Sequence, residues 1–343
     1  MVPKHALDAI DKCLRDIMQC DIPFGGKIFL LGGDFRQVLP VIPRAQPTTL
    51  IENTIRKAKV FQHIQHYRLT QNMRTESDQR EFAEWVLKVG NDELEQHDPN
   101  VPPKSIFLSQ DIVTKDIVTS MCENNATLLE QEAILTPKND VTFHINAQIL
   151  QRLPGGTHTY YSVDSIKCDD PVEENNFPTE FINSLTPSGM PQHKLQLKEG
   201  AIIMLMRNLD IRQGLCNGTR LKVCHLYKNV IDAQKINSNQ RVLIPRIRLS
   251  PSDTNLPFQL QRTQFPVRLA FCMTINKAQG QTFDKVGLYL PQPVFTHGQL
   301  YVALSRARSL KSIFVQVETT HLQGIKNRRT FTQNVVFKAV LNN

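Results

Sequence analysis

The sequence of 343 residues has little that would staple a small fold or anchor a chain in a bilayer. Its seven cysteines, at positions 13, 20, 122, 168, 216, 224 and 272, form no C-x-x-C pair and have no histidine at zinc-finger spacing. That excludes a zinc finger, and the odd, scattered count favours reduced thiols over a disulfide framework. No apolar run approaches the ~20 residues of a membrane-spanning helix. Asp8, Asp11 and Asp16 occupy the start, where a signal peptide would be apolar. The expectation is an intracellular protein with no membrane partner. No G-x-S-x-G elbow, Cys/His dyad, internal repeat or low-complexity tract is present, which removes nucleophilic hydrolases and solenoids from consideration.

What is present is positive charge, unevenly placed. The formal net charge is +8, and from Arg262 to Arg329 ten Lys/Arg face only Asp284 and Glu318. Such a stripe suits a polyanion, because each phosphate neutralised releases counterions. A solvated basic face answers the same count.

The length allows two domains, and the pattern is α/β. "KHALDAIDKCLRDI" places Leu7, Ile10, Leu14 and Ile17 at helical spacing. "KIFLLGGDF" reads as a short strand buried on both faces, ended by Gly32-Gly33. "TESDQREFAEWVLKVG" sets Phe82, Trp85, Val86 and Val89 on one helical face, with a Glu84 to Lys88 pair and a stop at Gly90, so the lone tryptophan is assigned to the core. A strand to Leu135 and a helix bearing Val141, Ile145 and Ile149 follow. From residue 160 to 194, Asp164, Asp169, Asp170, Glu173, Glu174 and Glu180 among prolines predict a long acidic surface loop. Short strands between 195 and 265 predict a small inserted β-barrel. "VRLAFCM", "KVGLYLP" and "SIFVQVE" then resume the α/β pattern as strands.

Three segments end apolar strands with polar residues that packing does not demand, where open α/β sheets place ligands. In "LLGGDFRQVLPV", Asp34 and Gln37 project from the turn, and a glutamine there can hydrogen-bond a terminal phosphate or the water attacking it. In "AFCMTINKAQGQTF", Thr274, Asn276, Lys277, Gln279 and Gln281 suit phosphodiester or sugar contacts, or else Thr274 or Asn276 caps a helix. In "THGQLYVALSRAR", Thr296 is placed to cap a helix whose Leu300, Tyr301 and Leu304 pack inward, with Arg306 and Arg308 at its far end. An arginine there complements the helix dipole, or acts as a finger on a transferring phosphoryl group. Arg74 before one helix and Lys138 with Asn139 at the start of another are weaker candidates for anion contact.

In this order, "GGDFRQVLPV", "LTQNMR", "MTINKAQGQTF" and "YVALSRARS" resemble motifs III, IV, V and VI of superfamily-one DNA helicases. More narrowly they resemble the Pif-one (petite integration frequency) family, related to RecD, with "YLPQPVFTHGQLYVALSRA" leaning to its Helitron transposon branch. "GLCNGTRL", "LSPSDTNLPF" and "QFPVRLAF" are similar to further blocks, so the resemblance covers nearly the whole chain. It implies an α/β architecture of RecA-like P-loop NTPase lobes. A first-lobe remnant would span 1–66, a second lobe 67–194 and 266–343, and the barrel 195–265. It also implies a nuclear motor, monomeric, that clamps ATP with Mg2+ and walks 5′-to-3′ along single-stranded DNA. On this resemblance Gln37, Arg74 and Arg306 would act on the γ-phosphate, and Asp34, Gln279 and Gly280 would lie near the nucleotide. Thr274, Asn276, Lys277, Lys138 and Asn139 would face DNA, with Asn276 standing where many relatives have histidine.

A motor of this kind also needs G-x-x-x-x-G-K-[ST] and an Asp-Glu pair for magnesium and water. "GGKI" has no hydroxyl residue after its lysine, and Met1 aligns just after the segment where relatives carry the acidic pair. The expectation is an N-terminally truncated motor, without its own metal site, with little ATP hydrolysis and with exposed edges at Lys27 to Leu31. The other reading is a non-catalytic single-stranded nucleic-acid-binding module that stacks bases on Phe258 or Phe265. A small-molecule α/β enzyme would have to explain four motifs in the right order.

Overall fold

The computed structural model describes residues 2–42, 44–70, 72–73, 79–94, 98–122, 130–168, 176–236, 238–251 and 256–341. In chain order the elements begin α1 (Lys4–Met18), α2 (Pro47–Glu52), α3 (Arg80–Asn91), β1 (Ser105–Phe107), α4 (Ile117–Cys122), β2 (Glu132–Thr136) and α5 (Asn139–Arg152). They continue with β3 (His158–Tyr161), β4 (Val163–Lys167), α6 (Thr179–Ser184), β5 (Lys194–Leu197), β6 (Ile202–Leu205), β7 (Arg220–Leu226), β8 (Val230–Lys235) and β9 (Arg241–Pro245). The last are β10 (Ile247–Leu249), β11 (Gln259–Gln264), β12 (Val267–Leu269), β13 (Cys272–Thr274), β14 (Lys285–Leu290), α7 (Gln299–Leu304), β15 (Ile313–Val317), β16 (Gly324–Lys326), β17 (Arg329–Gln333) and α8 (Lys338–Leu341). The chain divides into two compact units, one from 1–117 with 274–343 and the other from 118–273.

In the first unit, α1 forms where the apolar spacing predicts, and Leu7 is buried against Phe24, Ala58 and Val60. The stretch after it does not form the predicted strand. Residues 27–31 have no ladder among the described residues, and Ile28 and Leu30 are 102% and 92% exposed. A strand apolar on both faces needs neighbours on both sides, and the described residues supply none here. Helix α3 buries Phe82, Val86 and Val89, but Trp85 is only half-buried and Glu84 pairs with Arg80, not Lys88. The helix runs on through Gly90, where a Cβ would sit 2.6 Å from the Tyr301 ring. Glycine is what lets α3 and α7 approach so closely. β14 and β15 pair in parallel, as a crossover containing α7 requires, and β1, β17 and β16 form an antiparallel three-stranded sheet.

In the second unit, α5 buries Ile145 and Ile149. Its Asn146 is buried, exchanges hydrogen bonds with Cys272 at 2.8 Å each way, and reaches the Leu269 carbonyl at 3.3 Å. This contact splits the predicted "VRLAFCM" strand into β12 and β13. The β-rich part comprises a five-stranded antiparallel sheet, β12-β6-β7-β8-β9, a three-stranded one, β10-β11-β4, and the ribbon β3-β5. Phe258 and Phe265 are core residues, 5% and 0% exposed, so neither is a stacking platform. Phe258 packs on Phe177, and Phe265 on Tyr160.

The predicted acidic surface loop is not a single loop. Its described parts include β4, paired with β11, and α6. Asp164 points inward, and its side chain and that of Arg262 are 1% and 0% exposed. Arg262 grips that carboxylate through Nε at 2.9 Å and Nη2 at 2.5 Å and donates through Nη1 to the Leu185 and Pro191 carbonyls, both at 2.9 Å. His193 and Ser162 complete the cluster, with Ser162 Oγ 2.6 Å from Asp164 Oδ1 and 2.8 Å from His193 Nδ1. Breaking such a pair leaves a buried uncompensated charge. Asp164→Asn is therefore expected to cost about 3–5 kcal/mol in urea unfolding of the intact chain; a loss below about 1 kcal/mol would show that the carbonyls alone suffice.

Candidate functional site

The Asp34–Gln37 loop lies at the centre of the constellation, and the first unit holds it from several sides. Asp34 Oδ1 accepts from Arg36 N at 3.0 Å, closing a tight turn, while Asp34 Oδ2 accepts from the Tyr301 hydroxyl at 2.7 Å. Burial, and then the Asp34 carboxylate, push the Tyr301 phenol well above its ordinary pKa, so it keeps its proton and donates.

His297 is fully buried beside it. Phe337 N donates to its Nδ1 at 2.8 Å, so that nitrogen is bare; the ring proton then sits on Nε2, which donates to the Phe35 carbonyl at 2.8 Å. Burial above all lowers the pKa of this imidazole, which suits a ring that must stay neutral to make both bonds. The next residue, Gly298, has φ 72°, and a Cβ on it would come within 2.1 Å of the Arg36 carbonyl. Arg36 Nε in turn donates to Asn91 Oδ1 at 2.6 Å, at the end of α3. The Arg56 guanidinium covers the Phe35 ring at 4.2 Å.

So held, Gln37 meets Gln279, whose Nε2 donates to Gln37 Oε1 at 2.8 Å across 242 positions of sequence. Gly280 beside it is exposed. Thr274 is 7% exposed and makes no side-chain cap, so the expected cap of the Ile275–Ala278 turn is absent. Asn276 Oδ1 accepts from Gln299 Nε2 at 3.3 Å, and Lys277 is half-buried, its carbonyl accepting from Gln281 Nε2 at 3.1 Å.

Arg306 does not sit on the helix as predicted. α7 is capped by Gly298, not Thr296, and ends before Ser305. Arg306 follows it, 1% exposed, with Nε on Val302 O at 2.9 Å, Nη1 on Gln281 O at 2.9 Å and Nη2 on Ser305 Oγ at 2.8 Å. The guanidinium thus ties α7 to the loop that carries Gln279, and it is close enough to the Tyr301 phenol to act on it through space. Arg308 is exposed and pairs with Asp284 at 3.5 Å. Lys138 and Asn139 stand exposed at the start of α5 in the second unit. Arg74 lies outside the described residues.

Three segments named by the sequence, around Gln37, Gln279 and Arg306, therefore converge within one unit. The family model described as "PIF1-like helicase" matches residues 1–100. That described as "DNA helicase Pif1, 2B domain" matches residues 180–226, and "Viral superfamily 1 RNA helicase core domain" matches 215–315. Over these segments the chain is similar to the PIF1-like helicase family and its superfamily-1 relatives. It is 29% identical over 323 residues to the ATP-dependent DNA helicase PIF1 of Xenopus laevis, covering 92% of this chain and 45% of that protein. The chain thus spans under half of that relative. Among solved structures, the Bacteroides Pif1 bound to single-stranded DNA is similar at a TM-score of 0.67 and 26% identity, over 94% of this chain and 69% of that one. The Bacteroides Pif1 complex with ADP-AlF3 and single-stranded DNA gives 0.65 and 25%, over 94% and 70%. The mixed α/β fold is that of RecA-like P-loop helicases.

Among the described residues no group of three or more His, Cys, Asp or Glu side chains is placed to hold a metal ion. The Asp34 carboxylate is already taken up by Tyr301 and Arg36. Sequence reading missed His297 and assigned Tyr301 to packing alone. A histidine that bonds only backbone groups leaves no spacing signal, and a tyrosine on an apolar helix face looks like core; the available hint was that both lie in one segment with Gly298.

His297 makes the site acid-sensitive. In the unfolded chain its ring takes up a proton near pH 6.5, whereas in the folded chain its pKa is lower, so stability is complete above that pH and is lost as the pH falls through it. Urea midpoints measured from pH 7.5 to pH 5 should fall, and His297→Gln, which removes the titrating group, should flatten that fall while costing about 1–3 kcal/mol at neutral pH. An unchanged slope in the variant would place the titration elsewhere.

Proposed function

We propose that this chain carries the phosphate-sensing and strand-tracking parts of an ATP-dependent DNA helicase that moves 5′-to-3′ on single-stranded DNA and unwinds duplex in the nucleus, on the Helitron-like branch of its family. The observation that carries this reading is the hydrogen bond from Gln279 to Gln37, two motif glutamines, the second on a loop clamped by Tyr301 and His297. In that role Gln37 orients the γ-phosphate or the attacking water, and Gln279 with Gly280 keeps it aligned. Arg306 stabilises charge developing on the phosphoryl group after exchanging its Gln281 or Ser305 acceptor for a phosphate oxygen. Arg74 joins it on the strength of its motif, while Thr274, Asn276, Lys277, Lys138 and Asn139 serve the DNA strand.

The sequence contains no G-x-x-x-x-G-K-[ST], the loop that holds the phosphates in such motors. This favours, for this polypeptide by itself, a single-stranded DNA-binding module in which hydrolysis is silent. Losing the finger arginine alone costs an intact site ~10³ to 10⁵ in rate, and the P-loop carries more of the phosphate contacts than that. Single-turnover assays of the 343-residue chain with ATP, magnesium and single-stranded DNA should therefore give background hydrolysis. Anisotropy titrations with a fluorescein-labelled oligothymidylate should show binding that weakens with salt. Robust turnover would refute the silent-chain reading, and absence of DNA binding at low salt would refute the helicase reading itself.

A further inference from the structure

The hairpin of β16 and β17 breaks two rules of strand pairing at its tip. Lys326 and Arg329 stand directly opposite each other in register, and like charges so placed repel. Between them Asn327 and Arg328 have φ of 49° and 62°. This is the left-handed pair of a two-residue hairpin turn, whose second position normally goes to glycine. Arg328 occupies that position with a full side chain, at a steric cost glycine would not incur. All of Ile325 to Arg329 are exposed.

The tip is nevertheless held in place. Gln110 Nε2 donates to the Arg328 carbonyl at 2.8 Å, and the Arg329 guanidinium lies 3.9 Å over the Phe107 ring. Among the described residues no carboxylate forms an ion pair with Lys326, Arg328 or Arg329 within 4 Å. The acid near Lys326 and Arg329, Asp98, is engaged by Asn100 through N at 2.9 Å and Nδ2 at 3.0 Å. Sequence strain retained at an exposed, ordered turn points to something that bonds there.

We infer that the Lys326–Arg329 tip is a phosphodiester-binding site, a backbone contact additional to the residues around 274–277. A phosphate between Lys326 and Arg329 turns their repulsion into shared attraction, and the planar fork of Arg328 matches two phosphate oxygens. The inference rests on the DNA-binding reading above and adds a second point of contact to it. Single and double strands present the same phosphodiester, so both are tested.

The test uses the whole chain and three variants: Arg328→Gly, Arg328→Gly with Lys326→Thr, and Lys12→Gln as a control for charge loss on the exposed face of α1. Anisotropy is followed from about 50 to about 300 mM NaCl with a single-stranded oligothymidylate and a blunt duplex, both labelled. Each lost contact should reduce the slope of log K against log salt by ~0.7 on the single strand or ~0.9 on the duplex, with binding several-fold weaker in the double variant. A loss on either nucleic acid supports the site and identifies the form it holds. Arg328→Gly should melt at the same or a higher temperature, since it relieves the turn, which separates lost binding from lost folding. Unchanged slopes on both ligands, or an equal loss in Lys12→Gln, overturn the inference. Where the wild type itself fails to bind, it is the DNA-binding reading that has failed.

Discussion

The hydrogen bond from Tyr301 to Asp34 is the contact on which the candidate site depends. A four-residue polar loop with no strand ladder beside it has no means of fixing its own conformation, and the Gln279 to Gln37 bond cannot supply it. A neutral amide pair contributes only about 1 kcal/mol net, comparable with the entropy of ordering one residue. Alignment of the two glutamines therefore has to be imposed. The Tyr301 hydroxyl does so by joining positions 267 apart in sequence through a charged acceptor, with a phenol that burial keeps protonated. Hydrogen bonds to charged groups are the stronger class.

The remaining tethers act in the same direction, which makes the loop a rigid part. His297 fixes the Phe35 carbonyl and binds Phe337 N on its other nitrogen, so the chain just before α8 and the Gln37 loop share one imidazole. Gly298 lets the Arg36 carbonyl come close, and Gly90 lets α3 come close to Tyr301. Substituting either glycine would push these surfaces apart. In this region small residues are therefore as necessary to the geometry as the polar ones.

Much of this was legible in the sequence. Leu7 in α1, Val86 and Val89 in α3, and Ile145 and Ile149 in α5 fall where apolar spacing puts them, because helical periodicity is a local property. Lys27 to Leu31 was misread as a strand because apolar content reports what a segment would bury, not whether neighbours are there to bury it. Asp164 was misread as surface because its partner, Arg262, is 98 positions away and a buried charge looks like any other charge in sequence. Gln37, Gln279 and Arg306 could be named because their residue types recur in a known order. The surroundings of Arg306 could not be, because its acceptors include a backbone carbonyl 25 positions upstream.

The same distinction reinterprets the basic stripe. Of its ten cations, Arg262 and Arg306 are buried and Arg308 is paired with Asp284. The count thus overstates the charge a polyanion can touch. It does not overstate the charge present. A guanidinium is weakly hydrated and loses its proton only at extreme pH, so carbonyl oxygens can keep it charged inside a protein. Arg220 shows this directly: burial lowers its pKa only to about 10, and it donates to the Glu130, Glu132 and Ala270 carbonyls while still a cation at neutral pH. Arg306 is likewise held by two carbonyls and a hydroxyl. In the role proposed for it, its charge would need no creation when a phosphate arrives, only a change of acceptor, and exchanging a neutral oxygen for an anionic one in a dry site is electrostatically favourable. On the proposed reading, a finger arginine stored in this way is shielded from water until its target is present.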